Sequence, residues 1–309
     1  MSRSFEYAVQ HHRLSHWHTQ DGRQELLMML PALLLLITFT IVPFIMSVPL
    51  SVTNQRLLPG PIPAKFIGAR NFIRILSHED FWQAFWNVLR FTLMVIPVQC
   101  GFALLMANFL NRQNKLKGFL RGLFFLPFIT PMVIVTVIWA TILQFPTGVL
   151  NSVLGWITFG WFQAVDWLGN PRTSMLGIVL LSAWQAFGFQ MIIYLAGLQN
   201  IPLELYEAAE VDGASGWQKF WRVTWPGLLH TNIFVLMITT IQALKLFTQV
   251  NILTHGGPRG TTNTLVHYIY EAGFIAQNIG YASASSILLL VLVSMVVAIQ
   301  RTILKRFET

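Results

Sequence analysis

Apolar residues in this chain run in long blocks and do not alternate with polar ones. Six blocks stand out, over about 26–50, 86–110, 122–145, 175–199, 229–253 and 284–302. A helix needs ~20 apolar residues to cross the hydrocarbon layer of a bilayer. The pattern therefore predicts an all-α integral membrane protein with six transmembrane helices. Pro31 and Pro43 fall in the first block, Pro97 in the second, and Pro127 and Pro131 in the third. Membrane helices tolerate proline where neighbouring groups satisfy the freed carbonyls. A large soluble core would need a polar face on each helix, and these blocks have few polar positions. The expected organisation is a tail at 1–25, a six-span domain at 26–302 with a distinctive loop at about 200–228, and a tail at 303–309.

Composition agrees with the pattern. Of 309 residues, 54% are hydrophobic and 10% charged, against about a quarter charged in a soluble domain. Mean hydropathy is +0.58. Cys100 is the single cysteine, so no disulfide forms within the chain, and its apolar setting reads as packing.

The net charge of +8 would suggest nucleic acid in a soluble protein, but here Lys and Arg cluster in short loops. The two tails, the end of the sixth block and the loops 111–121 and 200–228 hold twelve: Arg3, Arg13, Arg23, Arg112, Lys115, Lys117, Arg121, Lys219, Arg222, Arg301, Lys305 and Arg306. The segments near 51–85, 146–174 and 254–283 hold six: Arg56, Lys65, Arg70, Arg74, Arg172 and Arg259. Cationic loops stay on the cytoplasmic side, so both termini are expected there. The first block has no small-residue cleavage pattern and reads as a retained span. The tail before it carries His11, His12, His16 and His18, a weak pattern for zinc that is expected to be solvated or interfacial.

Two absences narrow the function. No Asp or Glu lies inside the six blocks, whereas ion-coupled transporters usually hold an ionisable residue there. Backbone carbonyls can also coordinate sodium, and the absence of acidic groups weighs toward an energy source outside this chain. No GxxxxGK[ST] phosphate loop is present, so any ATP must be bound by another subunit. Arg90 lies near a span end and reads as snorkelling. Lys245 lies deeper, where a face toward the bundle interior costs less than one toward lipid.

The loop 200–228 is the most informative segment. Pro202 suits the first turn of a helix, and Asp212-Gly213 can end it. Leu205, Ala208, Ala209 and Val211 give an apolar patch, with Glu204, Glu207, Glu210 and Asp212 beside it. Trp217, Phe220, Trp221 and Trp225 follow, then Pro226. Lipid-binding helices are usually basic. This one is acidic, which favours docking against a cytosolic protein.

The run Glu207-Ala208-Ala209, Gly213 and Pro226 resembles the "EAA…G…P" loop of permease subunits of binding-protein-dependent ABC importers. Phe66-Ile67-Gly68, Asn71-Phe72 and Phe81-Trp82 to Trp86-Asn87 resemble the stretch before the second span of sugar-type permeases, with Val88 where Thr is usual. Leu123 to Pro127 resembles the start of the third span. Leu253-Thr254, Gly256-Gly257-Pro258, Thr262, Thr264-Leu265, Tyr268-Ile269-Tyr270 and Gly280 to Ala284 resemble the region after the fifth. The matches cover most of residues 65–285 and resemble the subunit related to the larger maltose permease.

The resemblance implies a type I ABC importer transmembrane-domain fold in a bacterial inner membrane. It implies a second permease, two ATPase subunits that bind ATP and magnesium, and an external solute-binding protein. Glu207, Ala208, Ala209, Asp212 and Gly213 would dock the ATPase. No cofactor, metal ligand, catalytic residue or nucleic-acid partner is expected in this chain. Sugars bind aromatic faces, amides and hydroxyls, and the resemblance points to Trp184, Gln185 and Phe189 in the fourth span and Thr239, Gln242 and Lys245 in the fifth. For the aromatics, bundle packing is the competing role. For Gln and Thr it is an interhelical hydrogen bond. Gly256-Gly257-Pro258 reads as a turn, and 265–274 as a helix that could help receive the binding protein. A neutral sugar is the expected solute, with an anionic polyol or sugar derivative (phosphorylated or sulfonated) as the alternative. An ion-coupled transporter would lack the docking loop. A membrane enzyme would need clustered catalytic groups, and His230, His255 and His267 assemble none.

Overall fold

A computed structural model describes residues 27–58, 63–111 and 116–305. The histidine-containing tail, Arg112, Lys115 and Arg306 lie outside the described residues. Within them the secondary structure is helical, apart from one isolated antiparallel bridge between Thr53 and Phe66.

Helix α1, Leu27–Ser51, widens into a π-helical turn at Ile37–Ile41. Pro43 has no N–H to donate to the preceding turn, and the Val42 N–H reaches back to the Ile37 carbonyl. Short helix α2 is Arg70–Leu76, and α3 is Glu79–Asn111. The third apolar block is two helices, α4 (Lys117–Ile129) and α5 (Met132–Ile142), bent by 96°. Thr130 is extended at ψ 134° ahead of Pro131, because a proline ring disfavours helical geometry in the residue before it. Then come α6 (Val149–Ile157), α7 (Ser174–Gln199), α8 (Leu203–Val211) and α9 (Gly216–Gly227). Helix α10, Leu229–Leu244, meets α9 at 69°. The fifth block is therefore not one continuous span: it breaks after Leu244 and resumes as α11, Thr248–Leu253. Helix α12, Leu265–Tyr270, runs on as a π-helical turn at Glu271–Ile275, and α13 is Ile279–Lys305. Four described helices, α1, α3, α7 and α13, can each cross a membrane, and the bent pairs α4–α5 and α9–α10 raise the number to six if each is one crossing.

The core is built on α3 against α7. Cys100, Ala103, Leu104, Ala107 and Leu110 of α3 recur every three or four residues and pack on Phe187, Met191, Tyr194, Leu195 and Leu198 of α7 at the end nearest the loop 200–228. Phe91 and Val95 continue the stripe against Ile178, Val179 and Ala183, with Ala243, Leu246 and Val250 alongside. At the far end Ile75, Phe81, Ala84 and Val88 pack with Leu265, Tyr268 and Tyr281. By contrast, the most apolar stretch of α1 is entirely exposed within this chain. It presents that surface to lipid or to another subunit.

Candidate functional site

Two places carry chemistry. The first is a polar cleft of about 150 Å³ where the α10–α11 break meets α3 and α7. The break puts Lys245 at the end of α10, and its N–H bonds the Gln242 carbonyl at 3.2 Å. The Leu246 carbonyl, freed from a helix ladder, accepts from Thr264 Oγ1 at 2.7 Å. Four amides line the cleft, those of Gln99, Gln185, Gln242 and Gln249, with Ser182, Phe247 and Lys245 beside them. Gln249 donates to Ser182 Oγ at 3.2 Å. Gln185 Nε2 lies 3.4 Å from the carbonyls of both Pro127 and Phe128 at the α4–α5 bend. Ser182 and Gln185 lie about 12–17 Å from the start of α7, which is about 39 Å long, so the cleft lies well away from both ends of that helix. Amides offer donors and acceptors together, which suits a polyhydroxylated solute. Lys245 adds the one cation in the lining.

The structure brings together only some of the residues expected there. Gln185, Gln242 and Lys245 line the cleft. Trp184 does not: it is 43% exposed and tilts against Trp139 at 5.8 Å. Phe189 stacks on Phe128 at 4.8 Å. Thr239 is buried, 3.3 Å from Gln190 Nε2 and 3.7 Å from Cys100 Sγ. Arg90 is exposed on α3. Gln99, Ser182, Phe247 and Gln249 were not among the residues anticipated. The two glutamines carry a signal, because an amide inside an apolar block is costly toward lipid and turns to protein.

The second place is α8. Pro202, at φ −56° and ψ 132°, precedes the helix and does not sit in its first turn. Gly213, at φ +72°, ends it, with its N–H on the Glu210 carbonyl and that of Ala214 on Ala209. Only glycine adopts that backbone freely. Tyr206 packs inward against the α3–α7 core, its hydroxyl 2.9 Å from Thr224 Oγ1. Lys219 Nζ meets Glu210 Oε2 at 3.0 Å. Glu207, Ala208 and Asp212 are exposed, as are Leu203, Leu205 and Val211. Ala209 is half-buried. Ser215 and Gln218 form a capping box that starts α9, and Trp217, Trp221 and Trp225 remain exposed beside it.

At the far end, several residues of the motif-like stretches support backbone. Asn71 donates to the Ser51 and Thr53 carbonyls, both at 2.8 Å. Asn87 donates to Gly260 at 2.7 Å and Asn263 at 2.9 Å. Thr262 donates to Gly257 at 2.6 Å. Two cavities of about 340 and 350 Å³ open beside them and share Asp80, Asn263 and Glu271. Burial lowers the His267 pKa, Glu271 opposes that shift, and His255 adds to it.

A bundle of long apolar helices with broken spans, a polar cleft away from the ends of α7 and an exposed helix between α7 and α9 has the make-up of a membrane transport subunit. The chain belongs to the family described as "binding-protein-dependent transport system inner membrane component", whose model matches residues 99–309. It is similar to the arabinooligosaccharides transport system permease protein of Bacillus subtilis, 34% identical over 78% of this chain and 76% of that one. It is also similar to the trehalose/maltose transport system permease protein of Thermococcus litoralis, 34% identical over 89% of this chain and 91% of that one. Among solved structures it resembles a chain of a bacterial alginate ABC transporter in complex with an alginate pentasaccharide-bound periplasmic protein. That likeness has a TM-score of 0.76 at 26% identity and covers 92% of this chain and 96% of the other. The family is one of transport permeases and not of catalytic subunits.

Proposed function

We propose that this chain is one of two permease subunits of an ATP-driven importer that moves a carbohydrate delivered by a solute-binding protein. The observation that carries this reading is the four-glutamine cleft beside Lys245, away from the ends of α7, at a break in the α10–α11 backbone. Hydrogen-bonding groups on a broken helix suit transient binding of a hydroxylated solute. The exposed, acidic α8 serves as the coupling helix, with Glu207, Ala208, Ala209, Asp212 and Gly213 seated in an ATPase subunit that binds ATP and magnesium. Both termini then face the cytoplasm, as the Lys and Arg distribution favours. ATP-driven closure of the ATPase pair draws the coupling helices together and rocks the bundle between inward-open and outward-open states.

Lys245 favours a second reading of the solute. An exposed cation in the cleft would pair with a carboxylate, phosphate or sulfonate, and a structurally similar bacterial ABC transporter is described as involved in the import of the acidic polysaccharide alginate.

The test is ATPase turnover of the complete transporter in lipid nanodiscs, with the binding protein loaded by neutral or acidic saccharides in turn. A loaded saccharide should raise turnover in the wild type. Glu207→Lys should remove the stimulation. If Lys245→Gln reduces transport of acidic solutes alone, the second reading holds. Transport by this chain without an ATPase would overturn both.

A further inference from the structure

From Gly122 to Val165 the sequence has no Lys, Arg, Asp or Glu. The second half of this stretch holds α6, which turns its apolar side outward. Val149, Val153, Trp156 and Ile157 are 56, 45, 82 and 58% exposed. Their spacing of four, three and one makes a single stripe along the helix. Just beyond the helix, Phe159 at 93% and Trp161 at 90% are the most exposed large apolar side chains among the described residues.

This surface is built, not left over. Asn151 is buried on the opposite side of α6. Its Nδ2 donates to the Val165 carbonyl at 3.0 Å, and its Oδ1 accepts from the Val165 N–H at 3.2 Å and Trp167 Nε1 at 2.8 Å. The Gly160 N–H closes the helix end on the Gly155 carbonyl at 2.8 Å. Thr158 Oγ1 accepts from the Phe162 N–H at 3.0 Å. These bonds hold Phe159 at φ +51°, a backbone conformation an aromatic residue rarely adopts, and so aim Phe159 and Trp161 away from the protein.

We propose that α6 and the turn after it form an interfacial anchor, lying in the membrane leaflet away from the docking loop with Trp156, Ile157, Phe159 and Trp161 in lipid. Three observations favour lipid over a protein partner. Helix α6 packs beside α5, where Val133, Ile134, Val137 and Ile138 are all more than half exposed. No charged side chain falls within the patch, whereas protein-docking surfaces are commonly ringed by charged and polar groups, as on α8, whose exposed apolar residues are interspersed with Glu204, Glu207 and Glu210. Indole rings also prefer the headgroup boundary, where one edge is apolar and the N–H reaches polar groups. The anchor has a consequence for the cleft. Helix α5 packs on α11, and α11 supplies Gln249 to the lining, so a fixed depth for α6 fixes the depth of that wall.

The test uses the complete transporter in lipid nanodiscs with Cys100→Ala. Nitroxides are attached at Trp156→Cys, Trp161→Cys, Val137→Cys and Arg172→Cys, and collision with oxygen is compared with collision with a water-soluble nickel chelate. The oxygen-to-nickel ratio at 156 and 161 should be severalfold above that at 172 and below that at 137. Nickel-dominated collisions at 156 and 161 would place them in water and overturn the proposal. Labels reached by neither reagent would place them under a protein partner and also overturn it. A water-like ratio at 137 would remove α5 itself from the membrane, and the anchor with it. Should the labelled variants fail to assemble, wild type and Trp156→Phe/Trp161→Phe are compared with lipids brominated high on the acyl chain. The double variant should lose part of the quenchable fluorescence, and an unchanged quenchable fraction would reject the anchor.

Discussion

The hydroxyls of Tyr206 and Thr224 lie 2.9 Å apart and bridge α8 to α9. The other side-chain link between these helices, Glu210 to Lys219, has a carboxylate that is 77% exposed and contributes ~1 kcal/mol at most. The hydroxyl pair, half-buried beside the core, contributes ~1 kcal/mol. Tyr206→Phe keeps the ring and removes the bond. Amide exchange across 203–211 should speed up about fivefold, with the complex still assembling and stimulated ATPase turnover reduced. Unaltered exchange would mean that ring packing alone holds the helix.

A second prediction concerns Asn87, which spans from α3 to the turn after α11. Its amide donates to the Gly260 and Asn263 carbonyls. Gln83, one turn earlier, donates to Arg259 at 3.0 Å. Asn87→Leu leaves two carbonyls without that donor, at ~1–3 kcal/mol for each one kept from water. The variant should melt at lower temperature, and exchange should rise first in 256–264. An unchanged melting temperature would show that water replaces the amide at no cost.

What could be read from the chain depended on whether a feature has a local cause. The α4–α5 bend follows from Pro131 and the residue before it, and α8 ends where Gly213 allows φ +72°. The break after Leu244 has no Gly or Pro to announce it. It is completed by Thr264, 18 positions beyond Leu246, a tertiary contact that periodicity does not carry. The cleft residues divide in the same way. Ser182, Gln185 and Ala186 share one face of α7. Trp184 has suitable chemistry but lies off that face, against Trp139; Phe189 shares the face one turn beyond Gln185, but its ring is stacked on Phe128. Excluding Trp184 required the phase of α7 and excluding Phe189 required its neighbour on α4, both of which only packing sets.

His267 gives a prediction in pH. The side chain is 2% exposed, its Nδ1 3.0 Å from Asn263 Oδ1 and 3.8 Å from Glu271 Oε2. Burial lowers its pKa, Glu271 pulls it back up, and His255 pushes it further down. The folded state therefore binds fewer protons than the unfolded chain, and stability falls as pH falls. The contribution is intact above about pH 6.5, the usual imidazole value, and is lost as pH drops through the depressed native value. Melting temperature should decline between about pH 7.5 and 5.5, and less in His267→Gln, which cannot take the proton. Equal slopes in the two proteins would assign the pH dependence to other groups.

Gly188 sets how closely α4 can lie on α7. A Cβ there would overlap the Phe124 carbonyl oxygen and lie 3.0 Å from the carbonyl carbon and 3.1 Å from Phe125 Cα. These are backbone atoms, so no rotamer change relieves the contact, and α4 must move. Small residues commonly permit such approaches between membrane helices. Gly188→Ala should destabilise the protein by ~1–3 kcal/mol. Gly101→Ala, on α3 where an added Cβ meets nothing within 4 Å, should be neutral or stabilising by up to ~1 kcal/mol. The pair can be compared by thermal melting in the same detergent. Gln185 lies one turn before Gly188 and reaches the Pro127 and Phe128 carbonyls of α4, so displacing α4 also reorients an amide of the cleft. Transport by Gly188→Ala should therefore fall below wild type even at temperatures where the variant is fully folded. Normal transport from the folded variant would separate the α4–α7 contact from the cleft.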